Sequence, residues 1–280
     1  MSTRPHIRAC VVAWMALLAF GCGQRASAPG GKDTAPGDKN SSLQQTTVRV
    51  ASASDLKVAL DELVTAFHRE HPQIHVEPTY GSSGNFYAQL TNHAPFDLFL
   101  SADISYPRKL IDAKLADAAS EFLYGIGQIV VWVPNGKNID VEKFGAKTLE
   151  EPSVRKIAIA NPAHAPYGRA AEAALKSLGL YDTLKDRLVM GDNIAQTAQF
   201  VESGAADVGI IALSLALAPA MRAKGHYWLV PIDVYPRLEQ GGVIMSWAVD
   251  RPSAAAFRQF MLDKSGREIL EQFGFEIPGK

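Results

Sequence analysis

The sequence predicts an α/β protein of two lobes, each a mainly parallel sheet flanked by helices, with a hinged cleft between them. Three observations lead there. Apolar strand segments alternate with helical segments along most of the chain, the pattern of parallel sheets covered on both faces. Residues 92–100 and 203–211 repeat one plan: helix end, small residues, an aspartate, an apolar strand. Two β-rich stretches, 126–133 and 243–249, are placed to carry the chain out of one lobe and back again. The expected organisation is therefore a first lobe of residues 48–126 plus 243–280 and a second lobe of residues 127–242.

The N-terminus reads differently from the body. Arg4 and Arg8 precede a short apolar run over 9–20, and small residues follow it. That run is too short to span a bilayer, which takes about 20 residues, and it matches a secretory signal over 1–21. The run ends Leu18-Ala19-Phe20-Gly21-Cys22, which resembles a bacterial lipobox with Cys22 as the lipidated residue. Residues 22–47 are rich in Gly, Ser, Pro, Asp, Lys and Gln and poor in apolar side chains, so they are expected to form a flexible tether. An anchor, a tether and a globular body together place the protein outside the cytoplasm, periplasmic or extracytoplasmic and held at a membrane.

The body carries the elements in order. Residues 48–51 read as a strand. Leu56, Ala59, Leu60, Leu63, Val64 and Phe67 recur at helical spacing and define one buried stripe, which stops before Pro72. Residues 74–78 resume as a strand, and 97–100, 157–160 and 208–211 are short apolar strands. Trp132 and Trp247 are expected to pack at the hinge. The two cysteines, Cys10 and Cys22, both precede the body, which excludes a disulfide framework or thiolate metal site within it. A net charge of -1 argues against a nucleic-acid partner.

Four strand-to-helix junctions carry the candidate chemistry. Ser54 follows the first strand and is a candidate N-cap for the next helix. Tyr80-Gly81-Ser82-Ser83-Gly84-Asn85 joins a strand to a helix with two hydroxyls and two glycines. Residues 161–168 precede a helix and present the N–H groups of Tyr167 and Gly168, and Gly191-Asp192-Asn193-Ile194 leads into another. A helix N-terminus exposes unpaired N–H groups and partial positive charge, which suits an anion. Two such junctions in each lobe, at the carboxyl ends of strands, point to a site in the cleft.

With these segments in order, residues 48–280 resemble the periplasmic molybdate-binding proteins of ABC importers. The matching motifs are Ala51-Ser52-Ala53-Ser54-Asp55-Leu56, Gly81-Ser82-Ser83-Gly84, Asp97-Leu98-Phe99-Leu100-Ser101-Ala102-Asp103, Asn161-Pro162 through Pro166-Tyr167-Gly168, and Gly204-Ala205-Ala206-Asp207-Val208-Gly209. The resemblance implies a type II periplasmic-binding-protein fold and a ligand that is a small inorganic oxyanion, molybdate or tungstate. It implies no cofactor, an ABC permease as partner and a monomer. It assigns oxyanion contacts to the hydroxyls of Ser54 and Ser83 and to the backbone N–H groups of Tyr167 and Ile194. Asp55 stands where some members carry asparagine. A carboxylate would repel a dianion, so the N–H of Asp55 is expected to face the ligand. Ala212 stands near where other members supply a tyrosine hydroxyl. Molybdenum or tungsten would enter only as the oxyanion. Such a fully deprotonated anion suits neutral hydroxyl and N–H donors.

Three alternatives stay open. The ligand could be sulfate, thiosulfate or another tetrahedral oxyanion. A hydrolase would pair Ser82 or Ser83 with His164, although this is not a G-x-S-x-G elbow. His68, His71 and His75 could hold a metal, although His75 sits on a different element from the other two.

Overall fold

A computed structural model describes residues 45–279. The expected signal peptide and Cys22 lie outside the described residues, as does the tether up to residue 44. Strand β1 (Thr46–Ala53) begins two residues inside the stretch expected to be tether. The β-branched Thr46 and Thr47 pair with Ile74 and His75, and the Thr46 N–H donates to Gln73 O at 3.0 Å.

The other strands are β2 (Ile74–Gly81), β3 (Leu98–Ser101), β4 (Phe122–Gly127), β5 (Ile129–Pro134), β6 (Ile157–Ala160), β7 (Leu188–Gly191), β8 (Val208–Ala212), β9 (Gly225–Leu229) and β10 (Leu238–Ile244). Helices of two turns or more among the described residues are α1 (Lys57–Glu70), α2 (Ser83–Thr91), α3 (Ser105–Asp112), α4 (Pro166–Ser177), α5 (Ile194–Glu202), α6 (Arg251–Leu262) and α7 (Lys264–Gln272). No helix among the described residues is long and apolar enough to cross a membrane.

The strands form two five-stranded sheets, ordered β2-β1-β3-β10-β4 and β7-β6-β8-β5-β9. In each, three parallel strands lie beside one antiparallel strand that the chain delivers from the other sheet. The outgoing crossing is the single residue Gln128, between β4 and β5. The return lies earlier than sequence suggests. β10 already belongs to the first sheet at Leu238, where it pairs with Gly127, so the return crossing is 230–237 rather than Val243. Leu238-Glu239-Gln240-Gly241-Gly242 lacks the apolar run that signals a buried strand, and its pairing with β4 decides the matter.

The apolar stripe of α1 lies against the first sheet. Leu60, Leu63 and Phe67 are fully buried there, and Phe67 meets Phe257 and Phe260 edge-on at 5.0 and 5.5 Å. Each buried leucine contributes about 1.5–3 kcal/mol. The tryptophans are not hinge pieces. Trp132 is buried within the second lobe's core, and Trp247 packs on His93 in the first.

Asp97 and Asp207 explain the repeated motif. Asp97 precedes β3; its carboxylate accepts from the N–H groups of Arg49 at 2.9 Å and Val249 at 3.0 Å. Asp207 precedes β8 and accepts from the N–H groups of Arg155 and Lys156 at 2.8 and 2.9 Å, with Lys137 at 2.5 Å. Partial burial opposes it, but Lys137 and those two N–H groups hold the Asp207 carboxyl below its ordinary range. Each aspartate ties the start of one strand to its neighbour and so sets the register of the parallel sheet that carries the junctions.

Candidate functional site

The four junctions face one another across the cleft. After β1, residues Ser54–Leu56 form a single 3-10 turn before α1. Ser54 does not cap that helix; its hydroxyl is engaged across the cleft instead. Ser54 Oγ donates to Asn193 Oδ1 at 3.1 Å and accepts from the Ala195 N–H at 3.3 Å. Asn193 is the N-cap of α5, and its Oδ1 also accepts from the Gln196 N–H at 3.0 Å.

At the second junction Ser82, not Ser83, caps α2, accepting from the Asn85 N–H at 3.4 Å. Ser83 is fully buried, and its Oγ accepts from the Ala102 N–H at 3.0 Å. The next residue again crosses the cleft, with the Gly84 N–H donating to His164 O at 2.9 Å. Only glycine permits this approach, because a Cβ at position 84 would lie 2.6 Å from that carbonyl oxygen.

In the second lobe, Pro166 opens α4 with its fixed φ and no N–H to orphan. Gly168 lets the helix's first turn rest on the end of β6, since a Cβ there would meet Ala160 O at 2.2 Å. The N–H groups of Tyr167 and Ile194 fall in the first turns of α4 and α5, where the helix supplies no acceptor.

Ser54, Asp55, Ser83, Tyr167 and Ile194 line one cavity between the lobes, together with small residues such as Gly81 and Ala102. It is tight, with room for about one water molecule. No Lys, Arg or His lines it. Its polarity comes from hydroxyls, helix N-termini and one carboxyl group.

That carboxyl group belongs to a buried network that sequence reasoning missed. Tyr167 Oη donates to Asp55 Oδ2 at 3.0 Å. Gln240 Nε2 donates to Asp55 Oδ2 at 2.7 Å and to Tyr167 Oη at 2.8 Å. Tyr124 Oη lies 3.0 Å from both Gln240 Oε1 and Ser101 O. Ser214 Oγ donates to Asp55 O at 2.8 Å. Asp55 Oδ1 is buried and makes no hydrogen bond. Burial pushes the Asp55 carboxyl up to about 6, against the pull of the bonds from Gln240 and Tyr167 and the weaker influence of the Asp55 and Leu56 N–H groups. Burial, then the Asp55 charge, raises Tyr124 and Tyr167 well above the ordinary tyrosine range.

A second bridge crosses the cleft nearer its rim. Arg169 pairs with Asp103 at 2.7 Å and donates to Tyr106 Oη at 3.2 Å. The pair is partly exposed, so it contributes under about 1 kcal/mol. Asp103 also accepts from the Ser105 N–H at 2.9 Å, which caps the turn before α3.

The hydrolase and metal alternatives find no support in this geometry. The hydroxyls of Ser82 and Ser83 serve Asn85 and Ala102, while His164 Nε2 lies 3.0 Å from Asp192 O. No group of three or more His, Cys, Asp or Glu placed to hold a metal occurs among the described residues. His71 stacks on Phe67 at 4.5 Å.

One residue of the missed set was legible. Asn193 with Gln196 three positions on is the spacing of a capping box, which marks a helix start whose orphan donors are partly satisfied. Nothing in the local sequence marks Gln240, Tyr124, Ser214 or the Arg169–Asp103 pair.

Residues 48–276 match the family described as bacterial extracellular solute-binding protein. The chain is 34% identical over 234 residues to the molybdate-binding protein ModA of Azotobacter vinelandii, covering 84% of this chain and 91% of that one. It is 35% identical over 196 residues to ModA of Rhodobacter capsulatus, covering 70% and 75%. The solved structure of the Azotobacter vinelandii periplasmic molybdate-binding protein superposes with a TM-score of 0.77 at 32% identity, over 82% of this chain and 99% of that one. Two sheets joined by two crossings, a cleft lined by opposed helix starts and a match over nearly the whole body place this chain in the bacterial extracellular solute-binding protein family.

Proposed function

We propose that this chain is the extracytoplasmic solute-binding protein of an ABC importer and that it captures molybdate or tungstate in a closing cleft. One observation carries the reading: five groups from both lobes converge on one small cavity with no basic side chain. Similarity to the two ModA proteins supports the choice of anion. Ser83 holds its acceptor role toward Ala102 and keeps its proton for the ligand. Ser54 turns its proton from Asn193 to the anion, and Asn193 Oδ1 keeps the Gln196 N–H. The N–H groups of Tyr167, Ile194 and Asp55 complete the set, backed by the dipoles of α4 and α5. A ligand touching both lobes shifts the chain toward the closed form, which docks on the permease. The protein works as a monomer without cofactor or catalysis. Cys22 carries the lipid, and the segment up to β1 is the tether that keeps the body at the outer face of the membrane.

The experiment is titration calorimetry of the body with molybdate, tungstate, sulfate and phosphate. The first two should bind tightly and the last two should not. Sulfate binding as strong as molybdate binding refutes the specificity.

A further inference from the structure

We propose that Asp55 holds the captured anion as a carboxylic acid, donating its Oδ1 proton to the oxyanion, so that loading the site takes up one proton from solution. This rests on the oxyanion reading above and deepens it, because it gives the Asp55 side chain a direct role and makes capture depend on pH.

The geometry assigns the proton to one oxygen. Asp55 Oδ2 already receives two donors, Tyr167 Oη and Gln240 Nε2. Oδ1 is buried with no partner, on a residue that lines the cavity. A buried carboxylate oxygen without a donor is unfavourable, and a dianion in the same small cavity would make it more so. A proton on Oδ1 removes the charge and turns an orphaned acceptor into a donor for an acceptor-only ligand. The proton balance is simple. The free site carries a carboxylate, solvent gives one proton, and the loaded site contains a neutral acid hydrogen-bonded to an intact dianion.

The surroundings offer no rival means of neutralising the charge. The titratable groups in contact with the network are Tyr167 on α4 and Tyr124 on β4, both held well above the ordinary tyrosine range. Gln240 on β10 and Ser214 in the turn after β8 are neutral. Lys57 on α1 is paired with Asp61, and Arg169 on α4 with Asp103. His164, in the turn before α4, is bonded to the carbonyl of Asp192. Burial, against the pull of the bonds from Gln240 and Tyr167, brings the Asp55 carboxyl to about 6, and a neighbouring dianion raises it further. Both lobes contribute to that burial, Asp55 from the first and Tyr167 from the second. Closure and protonation therefore favour one another.

The test is calorimetry of the wild-type chain with sodium molybdate at pH 7.5 in two buffers of different ionisation enthalpy. The heats should differ by the amount that corresponds to uptake of between about half a proton and one per molybdate. From pH 7 to 8.5 the Kd should weaken by up to tenfold per pH unit, the slope for one linked proton. Asp55→Asn should show no proton uptake and a Kd flat over the same range. Should that variant fail to fold, the wild-type buffer dependence and pH slope decide alone. Molybdate binding without proton uptake overturns the proposal and leaves the oxyanion reading standing. Equal uptake in wild type and Asp55→Asn overturns it too. Tight phosphate binding without proton uptake would mean that Asp55 stays ionised and accepts the ligand's own proton, again overturning it. If the wild-type chain shows no molybdate binding at all, the oxyanion reading falls and this inference falls with it.

Discussion

Gly84→Ala tests whether the observed closure is the state that binds ligand. The new Cβ would sit 2.6 Å from His164 O and 2.9 Å from His164 Cα, both backbone atoms of the opposite lobe. Ordinary contact begins at 3.4 Å, so the lobes must part by about 0.8 Å at this point. Three of the bonds that span the cleft are Ser54 to Asn193 at 3.1 Å, Ala195 to Ser54 at 3.3 Å and Tyr167 to Asp55 at 3.0 Å. Lengthened by that amount, all three pass the range in which a hydrogen bond keeps its strength. At about 0.5–1.5 kcal/mol each, the closed form loses about 2–4 kcal/mol relative to the open one. A ligand that needs the closed form then loses affinity in proportion, by roughly 30- to 1000-fold. The fold itself should be unharmed, because alanine is favoured over glycine in the first turn of α2. Titration calorimetry with molybdate reads the affinity, and urea unfolding of the ligand-free chain reads the stability. Molybdate affinity within twofold of wild type, with stability unchanged, would show that binding does not require the lobes to meet as they do here.

Other perturbations separate ligand contacts from supports. Ser54→Ala should weaken molybdate binding by about 1–3 kcal/mol with little change in urea unfolding, since Asn193 keeps its Gln196 partner. Ser83→Ala should weaken binding similarly and also lower stability by about 1–3 kcal/mol, because it orphans the buried Ala102 N–H; a calorimetric titration paired with a melt checks both. Asp97→Ala should destabilise the fold by about 2–4 kcal/mol in urea, having removed the acceptor of the Arg49 and Val249 N–H groups. Asp55→Asn should change how ligand-free stability varies with pH. The folded value of Asp55 is raised from 3.8 to about 6, so its favourable contribution is fully present below about 3.8 and lost as pH rises through about 6. At 1.36 kcal/mol per unit, the wild type should lose about 2 kcal/mol relative to the variant between pH 4 and 7, as read from urea melts at both pH values.

The parts of this molecule that can be read from sequence are those whose physics is local. The α1 stripe shows because Leu60, Leu63 and Phe67 recur at helical spacing over a buried face. The short strands at 98–101, 157–160 and 208–212 show because both their faces are covered and their residues are nearly all apolar. The junctions show because glycine, serine and proline cluster where a strand gives way to a helix start. What is hidden is non-local. Asp55 and Gln240 touch although 185 residues apart, and no spacing rule connects them. The Ser54 hydroxyl looks like a cap until α5 of the other lobe claims it. In the sequence Tyr167 offers only a backbone N–H at a helix start, yet its ring reaches the opposite lobe. The polar opening of β10 becomes a strand only because β4 is there to pair with it.

The two crossings have a practical consequence. With one connection reduced to Gln128 and the other running beside it over 230–237, the two sheets can swivel as intact plates. Such a swivel converts occupancy of a cavity at the centre into displacement at the mouth. Lys57 and Gln196 border the same groove at that mouth, from α1 and α5. Since the body contains no cysteine of its own, thiols introduced at those two positions would accept a dye pair cleanly, and energy transfer between the dyes would turn the protein into an optical gauge for its anion.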